Sequence, residues 1–119
     1  MAAPSILALT TATGKLATAN VITSATSIVT NSAASGKVLK INSLIISNVD
    51  GTSAADITVD VYRDSIAYHI VKTVAVDADS SFTAVDKDLS IYLEEGDALR
   101  VTASANGDLQ AVCSYEDLS

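Results

Sequence analysis

From Val38 onward the chain alternates apolar and polar residues with a period near two, the repeat of a β-strand buried on one side. Lys37–Val49 is the longest such run. Leu39 and Ile41 share one face, whereas Leu44 and Ile46 fall on the other. That slip near Asn42-Ser43 predicts a bulge, or a strand buried on both faces at that end. Asp50-Gly51-Thr52-Ser53 reads as a turn. Asp56–Arg63 then alternates cleanly, with Ile57, Val59 and Val61 inward and Thr58, Asp60 and Tyr62 outward.

Asp64-Ser65 interrupts the pattern, and Ile66–Val76 follows as a strand with Ile66, Tyr68 and Ile70 on one face. Asp77–Asp88 reads as a polar connection containing Phe82. Three more inward rows come after it: Leu89, Ile91 and Leu93; Leu99, Val101 and Ala103; and Leu109, Ala111, Cys113 and Tyr115. Between the last two rows, Asn106-Gly107 predicts a hairpin, because both residue types accept the positive φ angles of a tight primed turn.

The first part of the chain is less regular. Residues 1–20 are rich in Ala and Thr, carry Pro4 and Gly14, and predict a short arm followed by a first strand near Lys15–Thr23. Thr26–Thr30 is a short β-branched run, and Asn31–Gly36 is a loop of small polar residues. The expected fold is all-β: a single antiparallel β-sandwich of about eight strands, jelly-roll-like or immunoglobulin-like. Residues 1–20 form the arm and first strand, and residues 21–119 the sandwich. No segment predicts a helix.

Composition sharpens this picture. A chain of 119 residues holds one two-layer core, and with aromatics at 4% that core rests on Val, Ile and Leu. A net charge of −7 argues against direct binding of nucleic acid or anionic membranes, whose affinity comes from Lys and Arg. The same charge serves solubility or a basic partner, and the two readings stay open. The single Cys113 allows no intrachain disulfide and fits assembly in a reducing cytoplasm. Ile6–Leu9 lacks the preceding basic residue of a secretory leader, and no run reaches the ~20 apolar residues of a membrane span.

Candidate chemistry is sparse. His69 and Cys113 would need direct contact and a third orienting group to act as base and nucleophile; both read better as structural residues. The carboxylates Asp77, Asp79, Asp86, Asp88, Glu94, Glu95 and Asp97 suggest Ca²⁺, yet none has the ordering of an EF-hand loop, so they read as solvated turns. Gly14-Lys15 and Gly36-Lys37 lack the rest of a phosphate-binding loop and read as turn exits. No catalytic, cofactor-binding or metal residue is assigned, and no enzymatic activity is expected.

One ordered series carries a family resemblance: Gly36-Lys37-Val38-Leu39-Lys40-Ile41, Leu44-Ile45-Ile46-Ser47-Asn48, Ile57-Thr58-Val59-Asp60-Val61-Tyr62, Leu93-Glu94-Glu95-Gly96-Asp97-Ala98-Leu99 and Val112-Cys113-Ser114-Tyr115-Glu116-Asp117. Over residues 36–117 it resembles the small β-sandwich structural proteins of tailed bacteriophages, including marine and cyanobacterial phages. The resemblance implies a virion protein assembled in the host cytoplasm, foremost a capsid decoration (cement) protein on the head exterior. Its implied partners are the major capsid protein and copies of itself, with a trimer as the expected symmetry, and no small-molecule substrate or cofactor. A tail, baseplate or fibre-associated module is the alternative, and a carbohydrate- or Ca²⁺-binding sandwich a further one.

Overall fold

A computed structural model describes residues 6–119; residues 1–5 of the expected arm, including Pro4, lie outside the described residues. The described residues form nine strands: β1 (Ala12–Asn20), β2 (Thr26–Thr30), β3 (Val38–Asn48), β4 (Ala55–Arg63), β5 (Ile66–Val76), β6 (Ser81–Val85), β7 (Ile91–Leu93), β8 (Ala98–Ala103) and β9 (Leu109–Leu118). Short 3₁₀ turns at Ile6–Ala8 and Lys87–Leu89 are the helical elements among the described residues.

The strands build two antiparallel sheets. One has the order β1-β9-β3-β6, with β7 on the same side of β3 as β6; the other has the order β2-β8-β4-β5. If β6 and β7 are taken as two halves of one broken strand, this is the eight-strand, two-Greek-key order of a jelly roll. The immunoglobulin alternative groups its strands differently. β6 raises the expected strand number by one. It lies inside the Asp77–Asp88 segment read from sequence as a connection, because only Phe82 and Val85 mark its apolar side.

Ile41, Leu44, Ile46, Leu93, Ala111 and Cys113 from the first sheet face Ile57, Val59, Leu99 and Val101 from the second, all fully buried. Removing such aliphatics from water stabilises the fold by about 1.5–3 kcal/mol each. The expected slip in β3 is real: its register against β9 shifts between Ile41 and Ser43. One extra residue there turns Leu44 and Ile46 back to the face of Leu39 and Ile41.

Several local expectations are corrected. Asn106-Gly107 does not close a hairpin, since β8 lies in one sheet and β9 in the other; the loop carries the chain across the sandwich. Gly107 alone takes a positive φ there, 87°. The tight hairpin is Asp64-Ser65 between β4 and β5, with φ of 52° and 64°, the two positive angles of a primed two-residue turn. Leu89 belongs to the 3₁₀ turn and is 72% exposed rather than inward. Ile66 and Tyr68 are also exposed, on the outermost strand of their sheet. Gly14-Lys15 lies within β1, not at a turn exit, and β1 starts earlier than the expected strand at Lys15–Thr23.

Two buried asparagines pin the loops at opposite ends. Asn31 Nδ2 donates to the carbonyls of Lys37 and Leu93, each at 3.0 Å. Asn48 Nδ2 donates to those of Ser53 and Val76 at 2.9 Å, while its Oδ1 accepts from Asp50 N. A side-chain amide at each place satisfies carbonyls that the crossing loops leave without ladder partners.

Candidate functional site

The fold separates the groups that chemistry would need together. Cys113 faces the core from β9, and burial pushes its thiol up to about 11, far from the thiolate a nucleophile requires. His69 is exposed on β5 of the other sheet, in register with Asp60. The two do not meet.

The acidic runs are also dispersed. Asp77 and Asp79 sit between β5 and β6, whereas Asp86 caps the 3₁₀ turn beyond β6 and Asp88 lies within it. Asp86 Oδ1 accepts from the backbone N–H of Asp88 and Leu89, capping that turn. Glu95 Oε2 accepts from Gly36 N at 2.8 Å and ties two loops together. Among the described residues, no group of three or more His, Cys, Asp or Glu is placed to hold a metal ion.

Three ionic clusters were not anticipated. Arg63, at the end of β4, reaches the β7–β8 turn, where Nε donates to Asp97 Oδ1 at 2.7 Å and a second guanidinium nitrogen bridges Asp97 and Glu94. Asp97 is buried, and its Oδ2 also accepts from Glu94 N. The Arg63 hydrogen bonds hold the Asp97 carboxyl below the usual carboxylate range. These groups line an open polar cleft of about 340 Å³ with Asp64, Glu95 and Gly96.

Alternation along β4 places Asp60 outward. It does lie opposite Arg100 on β8, but it is buried, because Arg100 covers it with an Nε–Oδ1 bond of 2.8 Å and stacks 4.0 Å from the Tyr62 ring centre. In the third cluster Lys15 and Lys37 each place Nζ 3.1 Å from Asp117 Oδ2. Burial works to raise Asp117, but the two ammonium groups outweigh it and hold the carboxyl low. A cleft of about 210 Å³ beside them is lined by Thr30, Asn31, Ser32, Ser35 and Tyr115.

No sequence motif announces these pairs. Each depends on which strands become neighbours, and parity along one strand does not reveal that.

What the surface offers most openly is strand edge. β1 pairs with β9 in an unbroken register from Ala12↔Leu118 to Asn20↔Gln110, and no described strand covers its other side. Most of its residues are exposed on both faces of the sheet.

Fold and topology together define a jelly-roll β-sandwich. No protein-family model matches the chain, and no curated protein does. Among solved structures it is similar in fold to a chain from Bacillus endospore appendages, described as a novel family of disulfide-linked pili. That match has a TM-score of 0.53 and 14% identity, covering 92% of this chain and 87% of that one.

Proposed function

We propose that this chain is a non-enzymatic structural subunit that acts in many copies, and specifically a capsid decoration protein of a tailed phage. The observation that carries the multi-copy role is β1: a nine-residue edge strand with an unbroken register to β9 and no described strand on its other side. The phage assignment comes from the ordered resemblance over residues 36–117. Separation of His69 from Cys113 and use of the acidic side chains as caps and ion pairs support the non-enzymatic reading. Many weak contacts on a lattice sum to firm attachment.

A second reading is favoured by the appendage fold: a fibre subunit, which includes the tail and fibre alternative. In that case the disulfide linkage of the appendages has no ready counterpart here, because the one cysteine is buried between the sheets.

Incubating the purified chain with capsid shells stripped of decoration separates these readings. A decoration protein binds to saturation at a fixed ratio per capsid subunit and raises the shell's resistance to heat. A chain that leaves shells unaltered and assembles into filaments alone is a fibre subunit.

A further inference from the structure

Not every edge of this sandwich is equally open. β2 has five residues, with a register shift between Ser27 and Val29. The edge made by β6 and β7 is broken by the 3₁₀ turn into pieces of five and three residues. β5 is long, but its register against β4 shifts twice, Thr73 has a φ of 48°, and Lys72 is exposed. Short length, bulges and outer lysines are the devices that keep strand edges from pairing. β1 has neither a bulge nor a proline.

The ladder shows which groups of β1 face outward. Thr11 and Ser119 exchange both backbone hydrogen bonds, and Val21 N donates to Leu109 O, so the odd residues from 11 to 21 bond β9. The N–H and C=O groups of Ala12, Gly14, Leu16, Thr18 and Asn20 therefore point to the free edge. Lys15 is odd, so its side chain lies on the opposite face from Leu16, where Asp117 neutralises it beside the cleft.

We infer that this edge pairs with β1 of a second copy, antiparallel and two-fold symmetric about Leu16. In this register Leu16 faces Leu16, Gly14 faces Thr18 and Ala12 faces Asn20. All outward N–H and C=O groups are then used, giving about ten hydrogen bonds, the number a typical interface carries. Leu16, 66% exposed in one chain, meets its own copy on the outer face beside Val112 and Ile45, also exposed apolar residues.

Charge does not oppose pairing at β1, which carries Lys15 and no acid. All fourteen carboxylates lie after Val49, whereas the first 49 residues carry three lysines and no acid. The acids beside β1, Asp117 and Glu116 on β9, are held by Lys15 with Lys37 and by Asn42, which lowers the electrostatic cost of bringing two copies with net charge −7 together there. The contact is isologous, so it produces dimers or joins larger rings in pairs; a trimer uses another surface. The inference rests on the reading of the chain as a multi-copy subunit and adds where and how copies meet.

Leu16→Pro tests it in the full chain. The Leu16 N–H faces the free edge, so proline removes no intrachain hydrogen bond and is tolerated there as on other edges. In sedimentation velocity the wild type associates and L16P remains monomeric, while below the concentrations at which the wild type associates the two share one unfolding midpoint; T18P, at the next outward position, does the same. Oxidative cross-linking reads the register, since facing Leu16 Cα atoms lie about 5.5 Å apart, within disulfide reach. L16C links to itself, G14C alone does not, its copies lying about 14 Å apart along the strands, and G14C mixed with T18C does.

Association of L16P equal to wild type, or G14C linking to itself as fast as L16C, overturns the inference. A chain found in many copies in a particle while L16C stays unlinked overturns the pairing and leaves the structural reading standing. L16C that links cleanly in a chain found in no particle does the reverse. Loss of particle binding by L16P without self-association of the wild type assigns the edge to a foreign strand and also overturns the inference.

Discussion

Replacing Arg63 with methionine is expected to lower the unfolding free energy by about 3–5 kcal/mol, the cost of leaving a buried charge without its partner. Asp97 keeps one hydrogen bond, from Glu94 N, while its carboxylate stays buried in the β7–β8 turn. The guanidinium is itself partly exposed, so Asp97→Ala costs less: the arginine left behind regains water. In a domain of this size the Arg63 variant melts on the order of 15 °C lower.

A pH signature accompanies it. Asp97 titrates below its unfolded value when Arg63 is present, so its contribution is complete above about pH 4 and is lost as pH falls through the folded value. The gap between wild type and R63M is therefore widest near neutrality and narrows below about pH 4. Urea denaturation across that range measures it. A cost under about 1 kcal/mol at neutral pH would show that the cluster is a loosely solvated surface pair.

Arg100→Met is expected to cost a similar 3–5 kcal/mol for the same reason, since it strands Asp60 under the outer face of its sheet. It also removes the stacking on Tyr62, worth about 0.5–1 kcal/mol where exposed. The double variant D60L/R100M should recover most of the loss, because well-packed apolar residues can replace a buried ion pair at little cost. A double-mutant cycle by chemical denaturation checks this: coupling near zero would mean that the pair contributes nothing beyond packing.

How much of this was legible beforehand follows from what each signal depends on. The inward row Ile57, Val59 and Val61 and the β3 bulge between Ile41 and Ser43 are written in local alternation, and both could be read. The hairpin could not. Asn106-Gly107 has the composition of a primed turn but serves a crossing loop, whereas Asp64-Ser65 makes the primed turn without a glycine. Turn chemistry states what a loop tolerates, not which sheet the next strand joins. β6 was hidden because its polar residues sit on an outer face. Arg63 with Asp97 and Arg100 with Asp60 are separated by 34 and 40 residues, so only strand order brings them together. The open edge of β1 was legible only as an Ala/Thr-rich segment, because openness is a property of its neighbours.

The central claim is that the chain works as one of many identical copies in a particle. Quantitative mass spectrometry of purified virions, counting copies of this chain per major capsid protein, tests it most directly. The account predicts a ratio near one or a simple lattice fraction. Absence from the particle would contradict it, and a few copies per hundred would move the chain from the head to the tail.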